Sequence, residues 1–267
     1  MFSIKNKIAV ITGGGGVLGS CIAESLAKSG VKLALLTRSE SKMQGQLKTL
    51  NTYSEAIAIE TDILSKNSLE KAKKEILESY GRVDILLNIA GGNLPGATIG
   101  ENQTVFDLSI EDFDTITKLN LNGTVLPSIV FGKVMSEQKS GVIINYSSMA
   151  VDRVITRVAG YSASKAAMEN FTKWMAVEMA TKFGDKIRVN AIAPGFFVGN
   201  QNKKLLLNDD GTPTRRGESI LRNTPMGRFG TPDELNGIIH FLCSDAAKFI
   251  TGVVVPVDGG FSSFSGV

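Results

Sequence analysis

The stretch KIAVITGGGGVLGSCIAESLAKSG, residues 7–30, decides the fold. Its apolar run IAVI predicts a short buried strand, and four glycines follow almost at once. Leu18, Ile22 and Leu26 then recur at the spacing of one helical face, and Gly30 is typical of a helix C-terminus. This order favours a dinucleotide site, because free backbone N–H groups and a helix N-terminus attract a pyrophosphate. A flexible glycine turn is the alternative, and the clear patterns on both sides disfavour it.

The rest of the chain repeats this alternation. Six further apolar runs predict strands at 31–37, 56–60, 84–88, 142–147, 187–192 and 253–257. Helical patterns lie between them, at 41–50, 67–80, 109–138, 166–180 and 231–243. Strands that alternate with helices predict an α/β fold: a Rossmann-type, doubly wound parallel sheet of about seven strands with helices on both faces.

The chain shows no linker, internal repeat or low-complexity segment. We therefore expect a single dinucleotide-binding catalytic domain over residues 1–267. The polar, basic segment at about 196–230 is expected to be a substrate lid that orders on binding. Pro127 is expected to kink or break the helix predicted at 109–138.

Composition excludes several classes of function. The 267 residues are 43% hydrophobic and 21% charged, which is typical of a folded core. A net charge of +3 is too small to indicate nucleic-acid binding, and no apolar stretch has the length of a membrane span. One histidine and two distant cysteines, Cys21 and Cys243, indicate neither a metal site nor a disulfide scaffold. We therefore expect a cytoplasmic protein without a metal.

Tyr161 and Lys165 lie four residues apart at a helical pattern, so their side chains share one helix face. A neighbouring ammonium favours phenolate and is expected to lower the phenol pKa, which suits a general acid. Ser148 follows the apolar run VIINYS and is expected at the end of a strand. Together the three side chains predict a site that binds and protonates a carbonyl oxygen. For the tyrosine–lysine pair alone, a chance meeting on a helix surface is the alternative.

Six motifs occur in one order along the chain. They are TGGGGVLG at 12–19, NIAG at 88–91, Asn120 within KLNLNG, Ser148, YSASK at 161–165 and APG at 193–195. In this order and spacing they resemble the short-chain dehydrogenase/reductase family along the whole chain. The segments LLNIAGGN, NAIAPGFFVGNQN, TPMGRFG and VVVPVDGGFSSFSGV resemble the D-mannonate oxidoreductase (fructuronate reductase) branch of that family.

Two positions depart from the family pattern. Val17 stands where the glycine turn has its middle glycine, and Ile89 replaces the second asparagine of the NNAG motif. We expect the side chain of Val17 to point away from the phosphates or to shift the cofactor slightly. Neither change removes a catalytic group.

The resemblance implies roles for four catalytic residues. Tyr161 would donate a proton to the carbonyl oxygen in reduction, and Lys165 would lower its pKa and bind the nicotinamide ribose. Ser148 would orient and polarise the substrate oxygen. Asn120 would hold a water that links Lys165 to solvent. A strand-end cap for Ser148 and a helix-bending role for Asn120 are the alternatives. The family also implies a homotetramer.

The resemblance further implies a binding surface for a nicotinamide dinucleotide along the strand ends. Its residues are Gly13, Gly15, Gly16, Val17, Leu18, Gly19, Arg38, Ser39, Asp62, Ile63, Asn88, Ala90, Gly91, Tyr161, Lys165, Pro194 and Gly195. After the second strand, a carboxylate would bind the ribose 2′-hydroxyl of NAD(H). Arg38 and Ser39 stand there instead and favour the 2′-phosphate of NADP(H). NAD(H) is the alternative, with Arg38 as an ordinary surface charge. Asp62 is expected to contact the adenine.

The branch implies a sugar-derived keto acid or hydroxy acid as substrate, and its carboxylate needs a cation. Arg153 and Arg157 precede the catalytic tyrosine, and Asn93 and Gln201 are candidates to bind hydroxyls. Further arginines follow APG at 215, 216, 222 and 228.

The predicted function is NADP(H)-dependent hydride transfer between the nicotinamide and a small anionic substrate, D-fructuronate or D-mannonate. A general carbonyl or 3-oxoacyl reductase is one alternative. A non-catalytic NADP(H)-binding regulatory protein with the same fold is another, because fold does not fix function. The four catalytic residues argue against the regulatory alternative.

Overall fold

The computed structural model describes residues 1–199 and 202–266. At its centre is one sheet of seven parallel strands in the order β3-β2-β1-β4-β5-β6-β7. The strands are β1 (Ile8–Thr12), β2 (Lys32–Thr37), β3 (Ala56–Glu60), β4 (Ile85–Asn88), β5 (Gly141–Tyr146), β6 (Ile187–Pro194) and β7 (Val254–Val257). This is the doubly wound Rossmann-type sheet that the sequence predicts, and its strand bounds differ from the predicted ones by at most two residues.

Helices cover both faces of the sheet. They are α1 (Val17–Lys28), α2 (Gln44–Leu50), α3 (Lys66–Tyr80), α4 (Ile110–Thr117), α5 (Gly123–Gln138), α6 (Ala159–Phe183), α7 (Lys203–Leu206), α8 (Arg215–Arg222) and α9 (Asn236–Cys243). One buried core joins the sheet to α1, α2 and α9, and a second joins the opposite face to α3, α5 and α6. Successive strand residues alternate between the two cores, with Ile11 in the first and Val10 in the second. Both faces of the strands are therefore apolar, as in a parallel sheet buried on both sides.

The helix predicted at 109–138 is interrupted, but not at Pro127. A π-helical turn covers Lys118–Asn122 between α4 and α5, and Pro127 lies inside α5. The proline cannot donate a hydrogen bond to the carbonyl four residues earlier, and its ring crowds that carbonyl, which belongs to Gly123. The irregular turn thus immediately precedes the carbonyl that Pro127 disturbs. It contains Asn120, and π-helical turns often occur at functional positions.

The segment after β6 contains the short helices α7 and α8, and Phe197 pairs with Gly230 as an isolated bridge where this segment begins and ends. Across the described ranges, no helix is both long and apolar enough to cross a membrane. Within the same ranges, no group of three or more His, Cys, Asp or Glu residues is arranged to hold a metal ion.

Candidate active site

The strands β1, β4, β5 and β6 are neighbours in the sheet and end at the same edge. β1 lies between β2 and β4, so the chain connections leave β1 and β4 in opposite directions at this point. A crevice for a ligand opens at such a topological switch point, outside the carboxyl ends of the strands. The residues that the sequence singles out follow these strand ends.

The turn after β1 requires glycine at two positions. Gly13 has a φ of +71°, and a Cβ on it would lie 2.8 Å from the backbone of Ala90. A Cβ on Gly19 would lie 2.3 Å from the Gly13 carbonyl oxygen. Gly16 is the N-cap of α1, without a side-chain cap, and the first turn of α1 contains no acid. The first N–H groups of α1 are therefore available to an anion.

The two departures from the family pattern both face protein. Val17 begins α1, and a Cβ on Gly199 would lie 3.7 Å from the Val17 Cβ, so Val17 faces the segment after β6. Ile89 packs against the core on the α1 side, as does Leu18. Gly15, within the same turn, lies against Met43, whose Sδ would be 2.9 Å from an added Cβ.

The end of β4 is tied to its neighbours by polar side chains. The Ala90 N–H donates to Thr12 Oγ1 at 3.1 Å, which joins the ends of β1 and β4. Asn88 is 1% exposed, and its Nδ2 donates to Ser128 Oγ at 2.9 Å and to Asn145 Oδ1 at 2.8 Å. The Nδ2 of Asn88 therefore supports the sheet, and its buried Oδ1 has no partner among the described residues.

The Asn120 side chain fastens the π-helical turn to the segment after β4. Its Nδ2 donates to the carbonyl oxygens of Gly92 at 2.9 Å and Ile116 at 3.1 Å, and its Oδ1 accepts the Gly92 N–H at 2.9 Å. Both Nδ2 donors are thus engaged, and Oδ1 accepts one of the two hydrogen bonds that an amide oxygen can accept. The backbone carbonyl of Asn120 accepts the Thr124 hydroxyl at 3.1 Å.

Gly91 lies where Asn120 and Lys165 approach each other. A Cβ on Gly91 would be 2.6 Å from Asn120 Oδ1 and 3.3 Å from Lys165 Nζ. An alanine here would push against both side chains, so the close approach requires glycine. Asn120, Gly91 and Lys165 come from three separate elements and form one cluster.

Tyr161 and Lys165 lie one turn apart near the start of α6, and Ser148 follows β5 by two residues. Lys165 Nζ lies 5.7 Å from the centre of the Tyr161 ring and donates to the Tyr146 carbonyl oxygen at 2.6 Å. Ser148 Oγ accepts the Ala150 N–H at 3.2 Å, which fixes the turn that carries it. The predicted grouping of a serine, a tyrosine and a lysine is therefore present.

Burial dominates the protonation of this group. Burial raises the pKa of the Tyr161 phenol, and hydrogen bonding with Ser148 opposes that shift. Burial lowers the pKa of Lys165 to about 8, with Glu169 acting in the opposite direction. The phenol pKa is thus raised and not lowered as the sequence predicts, because desolvation outweighs the opposing effect of Ser148. A protonated phenol is the form that donates a proton.

The residues predicted for the adenine end are largely exposed. Arg38 follows β2, and within the described ranges its side chain has neither a hydrogen bond nor an ion pair. Ser39 Oγ is 3.1 Å from Ser41 Oγ. Asp62 is exposed, with Oδ1 accepting the Leu64 N–H at 2.9 Å, and Ile63 packs near Gly123. An unengaged guanidinium after β2 suits an anionic ligand better than a neutral hydroxyl.

The strand ends of β6 and β7 support the far side of the crevice. The Gly195 N–H donates to the Val257 carbonyl at 2.9 Å, and a Cβ on Gly195 would lie 2.7 Å from Asp258 Cα. Pro194 accepts the Met149 N–H at 3.2 Å, which holds the turn after Ser148 against β6. Gly195 is therefore required by close packing.

Besides Ser148, four residues are predicted to bind substrate, and their surroundings differ. Arg153 is exposed, and its Nε donates to the Ser262 carbonyl at 2.8 Å. Arg157 is partly buried, and its Nε donates to the Ile99 carbonyl at 2.5 Å. Asn93 Nδ2 donates to a threonine hydroxyl at 2.6 Å, and its buried Oδ1 has no partner among the described residues. Gln201 lies outside the described residues.

One buried contact was not predicted. Glu169 lies one turn after Lys165 on α6, and its Oε1 accepts the Ser147 hydroxyl at 2.5 Å. Burial raises the pKa of Glu169. The spacing from Tyr161 through Lys165 to Glu169 repeats every four residues, so the sequence already contained the signal that this acid shares their helix face.

Residues 16–262 match a family model described as enoyl-(acyl carrier protein) reductase, which is a model of the short-chain dehydrogenase/reductase family. This match covers most of the chain, and the glycine turn, Asn120, Ser148, Tyr161 and Lys165 lie together as described above. The chain is a short-chain dehydrogenase/reductase. It is therefore an oxidoreductase whose fold binds a nicotinamide cofactor.

Two curated relatives cover this dehydrogenase/reductase over 99% of its length. An oxidoreductase of uncharacterized activity from Bacillus subtilis, UxuB, is 46% identical, and the match spans 98% of that protein. A 3-oxoacyl-[acyl-carrier-protein] reductase from Synechocystis is 32% identical, and the match spans 100% of it.

A solved structure is also similar over nearly the whole chain. It is described as that of a candidate D-mannonate oxidoreductase from Haemophilus influenzae with bound NAD. It is 42% identical, with a TM-score of 0.92, and the match covers 99% of this chain and 98% of that one.

Proposed function

We propose that this dehydrogenase/reductase transfers hydride between NADP(H) and a sugar-derived keto acid, with D-fructuronate and D-mannonate as the substrate pair. The grouping of Ser148, Tyr161 and Lys165 at the carboxyl ends of the strands carries the proposal. An acid, its neighbouring cation and a second hydroxyl are the groups that carbonyl reduction needs.

The residues at the strand ends fit a nicotinamide dinucleotide. The first turn of α1 leaves N–H groups for a pyrophosphate, and the glycines at 13, 91 and 195 let the segments after the strands pack closely around this edge of the sheet. When bound, the nicotinamide supplies or accepts the hydride. The residues of this chain bind and orient the reactants and transfer the proton.

In the proposed reduction, Tyr161 gives its phenol proton to the substrate oxygen as negative charge develops there. Ser148 donates a hydrogen bond to the same oxygen and orients it. Lys165 donates one of its three N–H groups to the Tyr146 carbonyl, and the other two remain for a ribose hydroxyl and a proton path. Its positive charge stabilises the phenolate that remains. In the proposed oxidation, each proton moves in the opposite direction.

Two observations bear on the choice of cofactor. Arg38 is exposed and unengaged among the described residues, and no acid stands directly after β2, which supports NADP(H). The similar Haemophilus structure contains NAD, which supports NAD(H). We keep NADP(H) as the proposal, because Arg38 is a residue of this chain and its charge suits a 2′-phosphate.

The substrate proposal rests on the same relative, which is described as a candidate D-mannonate oxidoreductase. A general carbonyl or 3-oxoacyl reductase is the second candidate function. The match to a 3-oxoacyl-[acyl-carrier-protein] reductase and the description of the family model favour it. A non-catalytic NADP(H)-binding regulatory protein is the outcome if cofactor binds and no carbonyl compound reacts.

We also propose a single catalytic domain that forms a homotetramer in the cytoplasm. The exposed apolar side chains Ile129 on α5 and Trp174 and Val177 on α6 support helix-to-helix assembly. The free thiols Cys21 and Cys243 are in keeping with a reducing compartment. The segment at about 196–230 would act as a substrate lid.

The proposed function is tested by following NADPH absorbance with D-fructuronate, a 3-oxoacyl thioester and simple ketones. We expect D-fructuronate to give the highest kcat/KM. A higher kcat/KM for the thioester would favour the second candidate. NADPH binding without turnover of any of these compounds would reject the enzymatic proposal in favour of the regulatory one.

A further inference from the structure

The six arginines near the proposed site differ in what they contact. Arg228 forms a two-pronged ion pair with Glu234, at 2.8 and 2.6 Å, and is already neutralised. Arg153 is exposed and holds the Ser262 carbonyl. Arg215 and Arg222 are exposed on α8. Only Arg157 and Arg216 are partly buried, which sets them apart as candidates to bind an anion.

Arg216 contacts the turn that contains Arg157, although the two arginines are far apart in sequence. Arg216 Nη1 and Nη2 lie 3.5 Å from Thr156 Oγ1 and from the Thr156 carbonyl oxygen, directly beside Arg157. These contacts are long for hydrogen bonds, so the donors of Arg216 are poorly used. Burial and the nearby charge of Arg157 both lower the pKa of Arg216. Two cations held together in this way favour an anion between them.

Arg157 is also poorly neutralised. Its Nη1 lies 3.8 Å from Glu101 Oε1, and the Glu101 side chain is 87% exposed. Such an exposed pair contributes little. After the Nε bond to the Ile99 carbonyl, the outer edge of the guanidinium remains for a ligand.

The backbone of Arg157 is held in a strained conformation. Its φ is +78°, in the left-handed region that disfavours side chains other than glycine. Two bonds fix it: its Nε donates to the Ile99 carbonyl, and the Ile99 N–H donates to the Arg157 carbonyl at 3.0 Å. Non-glycine residues held in this way cluster at ligand sites.

The turn lies where three site segments meet. Arg157 is four residues before Tyr161, Ile99 belongs to the segment after β4 that Asn120 fastens, and Arg216 belongs to the segment after β6. The segment after β4 also carries Asn93, whose buried Oδ1 has no partner among the described residues. Asn93 Oδ1 can accept a hydrogen bond from a hydroxyl, and the guanidinium groups of Arg157 and Arg216 can bind a carboxylate. A hydroxy acid carries both of these groups.

We propose that Arg157 and Arg216 together bind the carboxylate of the substrate, and that Asn93 accepts a hydrogen bond from one of its hydroxyls. The proposal rests on the proposed function for the identity of the substrate, but the pair itself requires only a small carboxylate. It assigns specificity for a keto acid to a turn that joins the segments after β4, β5 and β6. In this proposal the substrate carboxylate is not bound by Arg153, Arg215, Arg222 or Arg228.

The pair is tested by binding, separately from turnover. The Tyr161→Phe protein, saturated with NADP⁺, is titrated by calorimetry with D-mannonate and with D-mannitol, in which a hydroxymethyl group replaces the carboxylate. We expect Arg157→Gln and Arg216→Gln each to weaken D-mannonate binding by about 10- to 100-fold, the range for a charged hydrogen bond. D-Mannitol affinity should change by less than about threefold, and Arg157→Lys and Arg216→Lys should recover part of the loss.

Arg222→Gln is the matched control, because Arg222 lies on α8 with Arg216 but is exposed. It should bind D-mannonate like the parent protein. Equal D-mannonate affinity in the parent, Arg157→Gln and Arg216→Gln would overturn the proposal. So would the absence of carboxylate binding in the parent, tested with D-mannonate, D-gluconate and pyruvate. If carboxylates bind through the pair but D-fructuronate is not reduced by the wild type, the pair stands and the proposed substrate fails.

Discussion

Replacing Gly91 with alanine tests whether the catalytic cluster is packed as described. The new Cβ would lie 2.6 Å from Asn120 Oδ1, closer than such atoms approach, so the Asn120 amide has to move. Gly91 has no positive φ, and the effect therefore comes from the added methyl group alone. Movement of Asn120 breaks its two hydrogen bonds to Gly92, both 2.9 Å long.

The magnitude follows from those two bonds. Each contributes about 1 kcal/mol net, and each group left buried without a partner costs about 1–3 kcal/mol. We therefore expect Gly91→Ala to lower the free energy of unfolding by about 2–4 kcal/mol. Because Lys165 Nζ would be 3.3 Å from the same methyl group, kcat should also fall, by at least about tenfold.

Urea unfolding followed by circular dichroism, together with NADPH turnover, measures both effects. Gly45→Ala is the control: Gly45 lies within α2, and an added Cβ there would meet nothing within 4 Å. It should leave stability unchanged or raise it by up to about 1 kcal/mol, because alanine favours helix. If Gly91→Ala is as stable and as active as Gly45→Ala, Asn120 and Lys165 do not meet at Gly91 and the described cluster is wrong.

Three further changes test charges in the site. Since the pKa of Lys165 is about 8, the ammonium loses its proton as pH rises through that value. The kcat/KM for NADPH, which reports the ionisation of the free enzyme, should therefore fall above pH 8. Lys165→Arg should move this falling limb of the pH profile to higher pH. An unmoved limb would assign it to another group. Arg38→Asp should shift the ratio of kcat/KM from NADPH toward NADH by at least about tenfold, and an unchanged ratio would reject the role of Arg38 at a 2′-phosphate. Burial raises the pKa of Glu169, so the wild type should lose stability as pH rises through that pKa. Glu169→Gln should lose less between pH 5 and pH 8 in urea unfolding; an identical loss would show that Glu169 does not titrate in this range.

Local patterns predicted most of the fold. The alternation of apolar runs and helical spacing gave the strand bounds, and glycine at 13 and 19 follows from a turn that leaves no room for a Cβ. The break near Pro127 was predicted at the wrong place. A proline disturbs the carbonyl four residues before it, which for Pro127 is that of Gly123. The π-helical turn ends just before Gly123, and the Asn120 side chain holds that turn in place.

Long-range contacts account for what the sequence did not predict. Arg157 contacts Ile99, 58 residues away, and Arg216 contacts Thr156, 60 residues away. No local pattern separates these arginines from Arg153 or Arg222, because burial depends on three segments that meet only in the fold. The pKa of Tyr161 was predicted in the wrong direction for the same reason: helical spacing reveals its cationic neighbour but not the burial that raises the phenol pKa.

The central claim is that Tyr161 is the acid of a hydride-transfer reaction. Its most direct test is Tyr161→Phe, which removes one hydroxyl and keeps the ring. We expect kcat for the reduction of D-fructuronate to fall by about 10²- to 10⁴-fold, the usual contribution of a general acid, while the Kd for NADPH measured by fluorescence changes by less than about threefold. Undiminished turnover by the Phe variant, with NADPH still bound, would contradict the account.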